Sequence, residues 1–402
     1  MNSNVPIVQG YATEQQYASA ATEDYGANSF NGQKGNPQPK KFNDVFFAVL
    51  FYVHLAVMLV YALPMSINAQ AENGGGNGGN FGSIIYFVSV CSVFAVGLST
   101  LSLGFMMKFA RQLVQLALYF YIGASFLVMI IMFMAGSMLM GGLCAVSFAI
   151  SICYARAVQS RIPFAAANLN SALTAVRANL GLTTVAYVFM FAGFGYSIAW
   201  TTISNAVLDA YPGMAFLMFL SFYWTQQVLK NTMHVTTAGV IGTWWFAPDE
   251  ASSFCSKSIG DSFVRSTTYN FGSICFGSLI VALIQALRQL NHHLRDNRDA
   301  QLLVCLIDCI LGCIEGLIEY FNKWAYVYVG LYGYSYLDAG RNVIQLFQNK
   351  GWTAIISDDL ANMVLFMISI MIGLFTGLIG FVIASLDQNI FADFNFDGSP
   401  GG

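Results

Sequence analysis

Residues 220–247 hold the densest set of groups in the chain that could do chemistry. Tyr223, Trp224, Trp244 and Trp245 supply rings, Asn231 an amide, His234 an imidazole, Lys230 an ammonium, and Thr236 and Thr237 hydroxyls. The stretch lies mid-chain in a protein that is 56% hydrophobic and only 9% charged. Hydrocarbon tolerates such groups only where they face protein or water, so polar residues at this depth mark a candidate solute or ion path. Trp and Tyr also collect at membrane interfaces because their rings are amphipathic, which accounts equally well for each ring taken singly. Gly239 and Gly242 permit a close helix approach or a break in the helix.

The composition sets the frame that must position these groups. Soluble domains carry about 25% charged residues. With so few charges over 402 residues, the apolar surface cannot be hidden in one soluble core, and the chain reads as an all-α, polytopic membrane helix bundle. A net charge of −3 argues against nucleic acid as a partner. Eight cysteines are scattered without CxxC pairs. Cys91, Cys144, Cys153 and Cys275 sit in apolar runs and read as packing residues, while Cys305, Cys309 and Cys313 share one helix face. No Asn-x-Ser/Thr sequon occurs, so no N-glycan is expected.

Residues 1–43 are rich in Asn, Gln, Gly, Ser and Tyr and read as a disordered tail. Lys34, Lys40 and Lys41 place it in the cytoplasm by the positive-inside rule. Nine spans follow by hydropathy and length. The first runs from about Val45 to Ile67, before a Gly/Asn loop without Lys or Arg. The second and third cover about Ser83–Met107 and Leu113–Met134. A turn at Gly136 opens the fourth, which ends before Arg156. Residues 157–181 read as an interfacial helix, and the fifth span covers about Leu182–Ser204. The sixth is expected to run inward to Lys230 and the seventh outward to Phe246, both short, leaving 247–267 outside. The eighth, about Thr268–Leu287, ends at a basic cluster of Arg288, Arg295 and Arg298 with His292 and His293.

Residues 288–357 read as a cytoplasmic amphipathic insert. Asp308, Glu315 and Glu319 recur there at helical spacing and are assigned to water, and Phe321–Tyr336 is set on the cytoplasmic side. The ninth span, about Leu360–Ser385, contains Gly373-x-x-x-Gly377, a face suited to helix contact. The transmembrane domain is thus 44–387, with a short polar tail at 388–402.

Four separated blocks in this order carry a resemblance: Asn231-Thr-Met-His-Val-Thr-Thr-Ala-Gly239 with Thr243-Trp-Trp-Phe246, then Gly272-Ser-Ile-Cys-Phe-Gly-Ser-Leu-Ile280, then Phe321-Asn-Lys-Trp-Ala-Tyr326 with Tyr332-Gly-Tyr-Ser-Tyr336, and then Leu346-Phe-Gln-Asn349. They resemble the choline transporter-like family, especially its fungal plasma-membrane branch. The resemblance implies about ten spans, both termini in the cytoplasm, and transport of choline or a related small organic cation at the plasma membrane. Members usually carry a further span after the position of Ser385, which this chain lacks.

A quaternary ammonium is held by ring faces, at about 0.5–2 kcal/mol per contact. The expected spans hold almost no carboxylate, so the reading is an aromatic cage and not an ion pair. Its candidate members are Tyr187, Trp200, Tyr223, Trp224, Trp244 and Trp245, with Asn231 and His234 orienting a hydroxyl or lining the water path beside Thr236 and Thr237. His234, like His54, could instead serve as a hydrogen bond between helices. The alternative function is a non-transporting membrane scaffold or regulator. No Walker motif, HExxH, GxSxG or metal-spaced His/Cys cluster is present, so no cofactor, metal or enzymatic role is expected.

Overall fold

A computed structural model of the protein describes residues 40–72, 78–293 and 301–386, all of whose regular structure is helical. The tail before residue 40, the segment 387–402, most of the Gly/Asn loop, and Arg295 and Arg298 lie outside the described residues. So do the side chains of His292, His293 and Cys305.

The helices are α1 (Val45–Val57), which passes through a π-turn at Met58–Ala62 into α2 (Leu63–Glu72), α3 (Gly78–Met134), α4 (Met138–Val158), α5 (Ile162–Ala178), α6 (Gly181–Ala210), α7 (Ala215–Phe246), α8 (Lys257–Thr267), α9 (Phe271–His293), α10 (Gln301–Tyr332) and α11 (Tyr336–Leu386). Among the described residues, six stretches are long and apolar enough to cross a membrane: Val45–Met65, Tyr86–Met134, Met138–Ala178, Gly181–Ala210, Phe271–Asn291 and Asp358–Ser385.

The chain forms two compact units. The first holds α3, α4, most of α5 and α11 from residue 350 onward. Here α3 holds the expected second and third spans as two helices joined across a kink, where Phe109 leaves helical geometry (φ −124°, ψ 25°). Gly136 adopts φ +75° in the turn to α4, a conformation open to glycine at no steric cost. α5 does not spend its apolar stripe on lipid. Ile162, Ala165, Ala166, Leu169 and Leu173 recur at helical spacing and pack into a core with Leu113, Val114 and Ala117 of α3 and Leu360 and Val364 of α11. Tyr154 donates to Asp359 Oδ2 at 2.5 Å, tying α4 to α11. The expected contact at Gly373 and Gly377 does not form: a Cβ at either would meet nothing within 4 Å. Gly380 makes the close approach instead, beside Phe87 and Cys91.

The second unit holds α1, α2, α6–α10 and the start of α11. Two expectations are corrected in it. The sixth and seventh spans are a single helix, α7, 32 residues long, or about 48 Å at 1.5 Å per residue. No Gly or Pro occurs from Ala215 to Ala238, and a polar Lys230 does not break an α-helix that lacks such a cause. Pro212 and Pro248 bracket its ends. In the same way α10 runs unbroken through Phe321.

Removing one crossing changes the sides. The sequence reading sets the N-terminal tail inside and residues 247–267 outside. The structure brings the start of α1 and the start of α9 to the same end of the unit. Asn43 N–H donates to Tyr269 O at 3.1 Å, Asn43 Nδ2 donates to Gly333 O at 2.9 Å, and the Phe42 and Tyr269 rings lie 4.8 Å apart. The end of α8 and the α10–α11 turn therefore share the N-terminal side.

Candidate functional site

α7 is the helix about which the second unit packs. It runs alongside α10 in the same direction, while α9 opposes both. The α7–α10 contact is close because both helices carry glycine there. A Cβ at Gly330 would lie 2.7 Å from Val235 O and 2.8 Å from Ala238 Cβ, and one at Gly239 would lie 2.8 Å from Ser262 Oγ. Small residues at a crossing let backbones approach and bring the side chains on either side of it together.

What comes together is a continuous polar seam through α7, α9 and α10. Arg288 binds Asp308 Oδ1 at 3.0 Å and also Glu315. Glu315 accepts from Gln285 Nε2 at 2.8 Å. Gln227 Nε2 donates to Gln285 Oε1 at 3.3 Å and to Glu319 Oε1 at 3.1 Å. Asn231 Nδ2 reaches Gln227 Oε1 at 3.5 Å and Ser278 Oγ at 3.0 Å. Ser278 meets the Tyr326 hydroxyl at 3.3 Å, and that hydroxyl donates to Ile274 O at 3.1 Å. Beside it Asn322 Nδ2 donates to Gly277 O at 2.9 Å, and Asn322 Oδ1 accepts from the Tyr336 hydroxyl. Gln227, Asn231, Ser278, Asn322 and Tyr326 are all buried. Each polar group is matched to another helix, as burial in a low dielectric demands.

The rings expected to form one cage are distributed along the bundle instead. Trp224 is buried, donates its indole N–H to Cys275 O at 3.0 Å, stacks on His54 at 5.3 Å and makes a T-shaped contact with Phe51 at 5.1 Å between centroids. Trp200 donates to Met218 O at 2.9 Å and packs on Phe219 and Phe222. Trp244 is half-buried and Trp245 is 66% exposed at the end of α7. Trp224 and Trp244 stand about 30 Å apart along one helix, so one small cation cannot touch both. Tyr187 is half-buried on α6. Tyr223, also half-buried, sends its hydroxyl towards Gln289 Oε1 at 3.4 Å, near the carboxylate end of the seam. Asn231 lies inside the seam. His234 is half-buried with its ring 6.3 Å from that of Tyr326. Thr236 binds Ser266 at 2.6 Å, and Thr237 bonds back to its own helix at Met233 O. His54 supplies a histidine bridge between helices, from Nε2 to Ser221 Oγ at 2.7 Å.

Sequence reasoning missed Gln227, Ser278, Gln285, Glu315, Glu319 and Tyr326 as one set. The signal was present. Asp308, Glu315, Glu319, Asn322 and Tyr326 follow a helical period on α10, and such a stripe reads the same whether it faces water or a polar seam. Their partners on α7 and α9 decide the matter. Glu315 and Glu319 also bring two carboxylates to this seam, where the expected spans held almost none.

The fold and this seam define a multi-pass helical membrane protein whose buried polar residues join its helices. Residues 142–398 match the family model described as plasma-membrane choline transporter. The chain belongs to that choline transporter-like family. A CTL-like protein of Dictyostelium discoideum is 26% identical over 372 residues, covering 89% of this chain and 67% of the relative. Protein PNS1 of Mycosarcoma maydis is 27% identical over 410 residues, covering 93% of this chain and 76% of its own length. Protein PNS1 of Candida albicans is 35% identical over 176 residues, covering 42% and 34%.

Proposed function

We propose that the protein carries choline or a related small organic cation across the plasma membrane by alternating access, along the seam between α7, α9 and α10. The observation that carries this reading is the hydrogen-bonded run from Arg288 to Tyr326 in a chain of this family. When the helices separate, these groups exchange each other for water and solute, so a hydrated path opens without exposing an apolar wall. Glu319 then offers negative charge to an ammonium, Tyr223 offers a ring face, and Asn231 and Ser278 offer partners to a hydroxyl. With the tail in the cytoplasm, α7 and α10 each cross once, which keeps about nine crossings by length. In that arrangement the Arg288 end of the seam faces outward.

Uptake of labelled choline by vesicles bearing the purified protein tests the proposal. Saturable uptake, with choline-dependent thermal stabilisation of the protein, is expected. Neither uptake nor stabilisation by choline would leave a non-transporting role as the better account.

A further inference from the structure

Lys230 stands at the midpoint of α7, about 24 Å from either end at 1.5 Å per residue. Its side chain is 67% exposed, and its Nζ lies 3.9 Å from Glu319 Oε1. Where α7 crosses as proposed, a lysine at its midpoint is too deep to reach the headgroups by snorkelling, and an ammonium does not face hydrocarbon there without water or a counter-charge. Its open side is therefore a place that water reaches.

The two cations at the seam, Arg288 and Lys230, are held differently. Arg288 is gripped by two carboxylates, Asp308 and Glu315, and Glu315 is held again by Gln285. That set is committed. Glu319 is held in place by the buried amide of Gln227 at 3.1 Å, while among the described residues its ion pair is with the distant, open Lys230. An exposed ion pair at this separation contributes little and is readily broken. A flexible four-carbon stem carries the ammonium, so it can leave and return without moving a helix.

We propose that Lys230 is a tethered competitor for the transported cation. In the solute-free protein its ammonium neutralises Glu319, and an arriving organic cation displaces it and takes the same carboxylate. The proposal rests on the transport reading and adds to it which residue sets cation affinity. Glu319 then selects for positive charge. Lys230 weakens binding enough to permit release, and the bundle never holds an unneutralised carboxylate at mid-depth.

The test compares choline with its neutral carbon isostere, dimethylbutanol, in wild type, Lys230→Met, Lys230→Arg and Glu319→Gln, each purified and reconstituted. Binding is read by thermal stabilisation and competition, and transport as KM and maximal rate. In Glu319→Gln the preference for choline over the isostere is expected to fall about tenfold, one unit of log affinity being the loss of a modest charge contact. In Lys230→Met choline affinity is expected to rise while the maximal rate falls, and Lys230→Arg should keep the wild-type preference. An unchanged choline-to-isostere ratio in both Glu319→Gln and Lys230→Met overturns the proposal while leaving choline transport standing. Wild-type protein that binds no choline overturns the transport reading, and this proposal with it.

Discussion

Asp44 Oδ2 accepts the backbone N–H of Tyr336 at 2.9 Å, and the same oxygen accepts the Ser273 hydroxyl at 2.6 Å. One carboxylate thus sits at the N-termini of both α9 and α11, where unpaired N–H groups and the helix dipoles favour negative charge. Asp44 itself is left-handed (φ 51°, ψ 38°), which Asp tolerates better than most residues. The approach also needs Gly272, because a Cβ there would collide with the Asn43 and Asp44 carbonyl oxygens.

Asp44→Ala removes two bonds to a charged acceptor, each worth about 1.5–3 kcal/mol. Thermal unfolding in detergent should show a clear fall in midpoint. Asp44→Asn keeps an acceptor without the charge and should lose roughly half as much. Equal midpoints for all three proteins would show that the capping carries no stability.

The glycines of the two units should not behave alike. Gly330→Ala must push a methyl against the Val235 carbonyl, which is backbone and cannot yield, and overpacking of this kind costs about 1–3 kcal/mol. Gly239→Ala meets Ser262 Oγ, the end of a side chain that can rotate, and should cost less. Gly373→Ala, with open space around it, should leave the unfolding midpoint unchanged.

Trp224→Ala should act on stability and not on recognition. The ring is buried against His54 and Phe51 and its N–H is bonded, so truncation should cost about 3–5 kcal/mol. The fraction that remains folded should bind choline with near wild-type affinity. A large affinity loss in stably folded protein would put the ring back at the solute.

Sidedness gives a direct check on α7. Ser252→Cys, in an exposed position after α7, should react with an impermeant maleimide from the same side as an epitope tag at the N-terminus. Labelling from the opposite side would require an extra crossing in α7, which the structure does not have.

Membership of the lipid-embedded, all-helical class follows from the sequence by itself, since the ratio of apolar to charged residues leaves no soluble alternative. So do the glycine turn at Gly136 and the close approach at Gly239, because both depend on local residue size and backbone freedom. The side on which residues 247–270 lie, the placement of Glu315 and Glu319 in a seam, and the separation of the rings were decided by tertiary structure alone. Each depends on a partner far along the chain: Tyr269 for Asn43, Gln285 for Gln227, His54 for Trp224. A polar stripe at helical spacing says that one face of a helix differs from the other. Only the helix packed against it says whether that face meets water, a solute path or another side chain.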